Sequence, residues 1–297
     1  MTGHNPAAAM TRRAASSRRK IINAVMLTLA GLATAVAIAP LLWIIGYVFR
    51  QGASALSPEF FTRLPTPVGV PGGGIANALV GSAITVGLGV LIAAPVGALA
   101  AFYVAAHPNT PLGLAVRFGA DVISGVPSIV MGIFAYTLIV LPQRHFSALS
   151  GGAVLAFIML PIILRTTEEM IKLVPNTLRE GSLALGAPEW KTSLAVILPA
   201  AAEGVLTGVM LAIARAAGEA APLLFTAFGN PFMSAALDQP IATLPHMVFV
   251  YAISPYEDWR AKAWATALVL ITVVLALNVL ARLIAWWRAR QLGSVIH

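Results

Sequence analysis

Nothing constrains this chain more than its long apolar blocks without a charge. The first, Ile21 to Phe49, has only Asn23, Thr28 and Thr34 as clearly polar interruptions. About 20 apolar residues in helical form cross the hydrocarbon core of a bilayer, so the block is long enough to span. Others lie within Ile75–Val104, Val122–Leu141, Phe146–Leu164, Leu194–Phe228 and Ala263–Trp286. Unpaired backbone amides are costly in lipid, and a barrel needs short alternating strands rather than continuous apolar blocks. The expected fold class is therefore an all-α integral membrane protein with six transmembrane helices. Only 10% of residues are charged, against roughly 25% in a soluble domain. With no cysteine, disulfides and thiolate chemistry are excluded.

The basic run Arg12, Arg13, Arg18, Arg19 and Lys20 ahead of the first block resembles the start of a secretory signal. The apolar run that follows is longer than the usual signal core of about 7–15 residues, so an uncleaved anchor is expected. Most of the nineteen Lys and Arg fall on one side of the six spans if the amino terminus is cytoplasmic: that first run, Arg117, Arg165, Lys172, Arg179, Lys191, Arg282, Arg288 and Arg290. Arg50, Arg63, Arg144, Arg260 and Lys262 fall opposite. The positive-inside rule then puts both termini in the cytoplasm. Trp286 and Trp287 beside Arg288 suit an interfacial girdle.

The segment Arg165 to Lys191 is the longest charged stretch on that side. Thr166 and Glu169 have capping-box spacing, so a short helix is expected from there to Pro175. Asn176 is a candidate cap for a second helix carrying Leu178, Leu183 and Leu185. Gly186, Ala187 and Pro188 predict a tight turn into a third, with Glu189 near its positive end. A solvated connector and a docking surface for a soluble partner both suit this pattern. The fifth block is too long for a simple crossing, so its polar start is expected along the membrane surface. Within it, Arg215 and Glu219 stand four apart and would share a helical face. A structural salt bridge and a place on a water-filled path are both open. Asp121 and Glu203 fall near span ends, where capping or solvation explains them equally well. Gly125-Val126-Pro127-Ser128 predicts a bend in the third span, either a satisfied kink or a gate with backbone groups facing a path. Gly204 and Gly208, and Ala76, Gly81, Gly87 and Gly89, suit close helix packing.

The spacing Glu180-Gly181-Ser182, Gly186, Val196 and Leu198-Pro199 resembles the coupling motif of ABC importer permeases, departing from the family form at Gly181, Ser182 and Val196. With Gly125-Val126-Pro127-Ser128-Ile129-Val130, the run Val174 to Glu180, and Ala214 to Leu223, the chain is similar to the PstA-type permeases of the bacterial phosphate-specific transporter, over roughly residues 20 to 290. The resemblance implies a MetI-like importer permease fold with a cytoplasmic coupling-helix segment, 165–199, inside a transmembrane domain, 21–290, flanked by tails 1–20 and 291–297. It implies an inner-membrane subunit without enzymatic activity, partnered by a second permease (PstC-like), two cytoplasmic ATPases (PstB-like) carrying ATP and Mg, and an external phosphate-binding protein (PstS-like). On this resemblance Arg215, Glu219 and Ser128 belong to the anion pathway. Glu180, Leu185, Gly186 and Ala187 belong to the ATPase contact, and the loop Asn230 to Lys262 faces the external donor. A permease for another oxyanion or small solute, or an ion-gradient-driven secondary transporter, are the alternatives.

No Gly-rich loop ending in Gly-Lys-Ser/Thr is present, and Gly72-Gly73-Gly74 is followed by Ile75, so no nucleotide, metal or other cofactor is expected on this chain. The five histidines, His4, His107, His145, His246 and His297, are scattered. A catalytic site is not expected.

Overall fold

The computed structural model describes residues 6–70 and 72–293, with side chains described from residue 19 on, except 71, 281 and those from 284. The Trp286–Trp287 girdle, the far ends of both tails and most of the first basic run lie outside the described side chains. Among the described residues every regular element is helical, apart from one isolated bridge between Phe228 and Ile241.

The chain forms two units, one ending at Arg50 and the other starting at Gln51. The first is helix α1 (Pro6–Gly52), which continues just past the boundary and carries Pro40 inside it. The second contains α2 (Pro58–Thr62), α3 (Ala76–Ala106), α4 (Pro111–Gly125), α5 (Ser128–Ala135) and α6 (Leu141–Gln143). It continues with α7 (Ala148–Leu173), α8 (Asn176–Ala184), α9 (Glu189–Thr192), α10 (Leu198–Ala216), α11 (Ala221–Leu224), α12 (Leu244–Ala252) and α13 (Glu257–Gly293). Five helical stretches are long and apolar enough to cross a membrane, Arg19–Ala55, Ala76–Ala106, Ala148–Leu173, Glu189–Ala216 and Glu257–Leu280, and the bent pair Pro111–Gly125 with Ser128–Gln143 makes a sixth if taken as one span.

Helix α7 is the centre of the second unit, with Leu155, Met159 and Ile163 fully buried. Lipid offers no hydrophobic drive between helices, so tight packing through small residues has to hold them. Gly89 and Gly97 of α3 do this: a Cβ on either would sit 3.2 Å from Leu155 Cβ or 3.0 Å from Ile163 Cγ2. On the other flank of α7, Gly204 and Gly208 of α10 lie against the side chains of Met170 and Thr166. Gly81 presses on the Ala242 carbonyl, whereas Gly87 faces open space and takes no part.

Boundaries differ from the sequence expectation in the third, fourth and fifth spans, and the third, taken as the bent pair, begins at Pro111 rather than near Val122. The fourth span does not stop at Leu164 but runs to Leu173, so Thr166 and Glu169 sit inside α7 and form no capping box. The reason is burial: Thr167 and Glu168 are enclosed, Thr166 packs on Gly208, and the helix fails only at Val174, before Pro175, where the following ring disfavours helical backbone. The capping box lies at the other end, where Ser147 and Ser150 satisfy each other's amides at 3.1 and 3.2 Å. The fifth span starts at Glu189 and runs through a π-helical turn, Ser193–Ile197, into α10, so its polar start is continuous with the helix that follows. It also ends at Ala216 rather than Phe228. Asn176 is the first residue of α8, behind Pro175 in the capping position, and makes no side-chain cap there.

Candidate functional site

The bend expected at Gly125-Val126-Pro127-Ser128 is present and sharp, with α4 and α5 meeting at 108°. Pro127 has no N–H to continue the helix, and Val126 ahead of it is pushed to extended backbone, φ −76° and ψ 130°. Helix α5 then starts at Ser128 without a side-chain cap; Val130 N–H donates to Pro127 O at 2.9 Å, and the amides of Ser128 and Ile129 ahead of it form the positive end of the helix. Ser124, Val126 and Ser128 from this break, Ile158, Pro161 and Ile162 from α7, and Arg215 from α10 line one small cavity of about 20 Å³. Ser128 and Arg215, far apart in sequence, therefore border the same small cavity.

Arg215 lies in the last turn of α10, and Glu219 lies beyond the helix. The chain closes that end with Ala217 N–H to Ile213 O at 2.9 Å, Gly218 N–H to Arg215 O at 3.1 Å and Glu219 N–H to Ala216 O at 3.1 Å. The expectation of one continuous helical face is thus corrected, yet the side chains still meet, Arg215 Nε to Glu219 Oε1 at 3.7 Å. The arginine side chain is 57% accessible and the glutamate 18%, so the guanidinium is only loosely held by its carboxylate. A cation at a helix carboxyl end is favourable in itself. Directly afterwards α11 crosses α5, with Gly132 admitting Pro222: a Cβ there would stand 2.7 Å from Pro222 Cα.

At the far end of α7, α8 has no buried residue and is exposed except at the half-buried Arg179 and Ser182. Gly186 at φ +84° closes it in a Schellman arrangement, with Ala187 N–H to Ser182 O at 3.2 Å and Gly186 N–H to Leu183 O at 2.9 Å. The turn holds Leu185 out at 91% accessibility. Glu180 and Gly186 are also exposed, and Ala187 is half-buried. Ser182 Oγ and Thr192 Oγ1 at 2.9 Å, and Arg179 with Glu189 at 3.6 Å, tie α8 to α9.

Sequence reasoning missed Glu168. Its Oε1 accepts from Arg117 Nε at 2.9 Å, Arg117 Nη2 at 2.5 Å and Lys172 Nζ at 2.6 Å, with the side chain 2% accessible. Only the Glu168–Lys172 pair was legible, as the favourable i,i+4 order of acid before base. Arg117, on another helix, carried no local signal. Asp121 is neither a cap nor merely solvated: it pairs with Arg165. Glu203 lines a cleft of about 380 Å³ between α7 and α10. Among the described residues no group of three or more His, Asp or Glu is placed to hold a metal ion.

The segment 230–262 folds around α12, with Asn77 Nδ2 donating to Asn230 O at 2.6 Å and Leu244 N–H to Ser82 Oγ at 2.8 Å. Here burial pushes the Tyr251 hydroxyl up to about 12, with Asp258 adding to it, and burial lowers the His246 imidazole. A histidine lowered in the fold contributes stability above its unfolded value of about 6.5, lost as pH falls through the folded value. Hydrogen exchange over 229–256 is therefore expected to quicken as pH drops from about 7.5 to about 5, after correction for intrinsic rates, and His246→Gln is expected to flatten that dependence. An unchanged pH profile in the variant would assign the effect elsewhere.

Residues 93–287 match the family described as the binding-protein-dependent transport system inner membrane component. The chain is 44% identical over 245 residues to the phosphate transport system permease protein PstA of Yersinia pestis, covering 82% of this chain and 83% of that one. It is 42% identical over 266 residues to PstA of Haemophilus influenzae, covering 89% and 94%. It is 32% identical over 279 residues to PstA 1 of Mycobacterium tuberculosis, covering 92% of each. Among solved structures, an inward-facing conformation of the MetNI methionine ABC transporter superposes with a TM-score of 0.58 at 18% identity, over 71% of this chain and 94% of that one.

Proposed function

We propose a function from the premise that this chain belongs to the family of binding-protein-dependent transport system inner membrane components: it is the transmembrane permease subunit of an ATP-driven importer of inorganic phosphate. It is multi-pass in the bacterial inner membrane, with both termini cytoplasmic, and breaks no covalent bond. A PstC-like permease completes the path, two PstB-like subunits bind ATP and magnesium, and an external PstS-like protein delivers phosphate to the face formed by 230–262. The single observation that carries the chemical part is the convergence of Arg215 with the uncapped start of α5 at Ser128 on one cavity.

Phosphate oxygens suit both groups. The guanidinium is a planar fork that donates bidentately, and helix amino ends present amides under a positive dipole. Glu219 orients Arg215 and, as a nearby negative charge, keeps the anion from being held too tightly to leave. Exposed α8 supports the coupling role, since a short helix with apolar side chains can lie in a groove of a soluble partner. Glu180, Leu185, Gly186 and Ala187 make that contact with the ATPase.

The deciding experiment is substrate-dependent ATP hydrolysis by the purified four-component complex in proteoliposomes. Phosphate is expected to stimulate hydrolysis and drive its own uptake, and sulfate is not. Equal stimulation by sulfate would move the chain to another oxyanion, and uptake by this chain without the ATPase would overturn the reading.

A further inference from the structure

Glu168 belongs to a ladder of charges between α4 and α7. Arg117 of α4 meets Glu168 of α7, and one turn further along α4 Asp121 meets Arg165, Nε to Oδ1 at 3.1 Å. The two helices thus present opposite sequences of charge, positive then negative on α4 and negative then positive on α7, with the pairs running in opposite directions along the two helices. Sliding α4 by one turn would set Arg117 against Arg165 or Asp121 against Glu168. Like charges brought together in this way are strongly unfavourable, so the ladder admits one register.

Apolar packing accompanies the ladder, with Val116 against the cluster around Leu164 and Ile123 against the core. Only Gly113 and Ala120 of α4 are buried, and Ala120 joins a small apolar cluster with Leu164 and Ala101. Arg117 also donates to Pro108 O at 3.1 Å and Val104 O at 3.4 Å, fastening the end of α3 to the same point. Glu168 Oε2, enclosed and without a hydrogen bond, faces Arg165 Nη1 at 3.5 Å. A buried carboxylate kept in this way is tolerated only while its cations stay in place.

We propose that Glu168, with Arg117, is the positioning residue that makes α4 move with α7, so that displacement of the coupling helix α8 reaches the bend at Val126–Pro127 and the cavity shared by Ser128 and Arg215. The two ends lie close to the ladder in the chain. Helix α7 ends at Leu173, just before α8 begins at Asn176, and α4 ends at Gly125, four residues after Asp121. This inference rests on the importer reading given above.

The test uses the complete complex. Because the chain has no cysteine, Gly125→Cys gives this subunit one thiol, at a position where a Cβ meets nothing within 4 Å. In that background ATP is expected to change the thiol's labelling rate. Glu168→Gln should abolish the change and lower phosphate moved per ATP hydrolysed by about three- to thirty-fold, while Glu168→Asp restores part of both. A purely structural role would lower the yield of complex and leave phosphate per ATP and the labelling response unaltered in what assembles, which would overturn the proposal. If Glu168→Gln does not assemble, Asp121→Asn, whose side chain is 60% accessible, decides: a fall in phosphate per ATP supports the ladder, and an unchanged ratio overturns it. Failure of the importer reading is separately visible, as absence of ATP-dependent phosphate uptake in the complex without the Glu168 change.

Discussion

Arg215→Ala is expected to bring phosphate uptake close to zero while the complex still assembles. The pair with Glu219 is long, 3.7 Å, and more than half of the arginine side chain is accessible. Pairs of this kind are worth about 0–1 kcal/mol, so removing one barely alters stability. A hydrogen bond from a charged donor is worth about 1.5–3 kcal/mol, and the guanidinium can give two, so the loss of anion contact is expected to cost at least about tenfold in uptake. Arg215→Lys keeps the charge and loses the fork, and belongs between the two. Initial rates of radiolabelled phosphate uptake, normalised to complex recovered, make the comparison. A structural bridge between Arg215 and Glu219 predicts the reverse pattern, reduced recovery with normal uptake per complex, and that result would remove Arg215 from the path.

The parts of this molecule visible in the sequence are those set by local chemistry. Charge-free apolar blocks announce the spans because a bilayer requires length and internally paired backbone. Pro127 announces the bend because a proline lacks the donor that a helix needs, and Gly186 with Pro188 announces the turn after α8 because the backbone there adopts φ +84°. What was hidden depends on tertiary neighbours. The helix start expected at Thr166 did not form because Gly208 of α10 packs on that residue and Glu168 finds Arg117 across the interface. Similarly, a continuous fifth span through Arg215 and Glu219 looked natural by spacing alone, yet the chain breaks there so that Pro222 can pack on Gly132. That Ser128 and Arg215 border one cavity was legible only through the family resemblance, which put both on the anion pathway, since nothing in either local segment refers to the other.

Leu185→Glu is expected to release the ATPase from an otherwise intact permease. At 91% accessibility Leu185 contributes nothing to packing within this chain, and Leu178, Leu183 and Trp190 are exposed around it. Covering such an exposed leucine with a partner is worth about 1.5–3 kcal/mol. A carboxylate in its place loses that gain and adds the cost of desolvating a charge, so affinity for the ATPase should fall by at least about tenfold. Helix content and thermal stability of the isolated permease should remain unchanged, because the Schellman turn at Gly186 depends on backbone groups that the substitution leaves alone. Glu180→Ala, at an exposed polar position, should act in the same direction but less strongly, as residues at a polar rim do. Pull-down of the ATPase measures the affinity, and phosphate-stimulated ATP hydrolysis measures its consequence. Retention of the ATPase by Leu185→Glu at undiminished affinity would place the contact elsewhere and leave α8 a solvated connector.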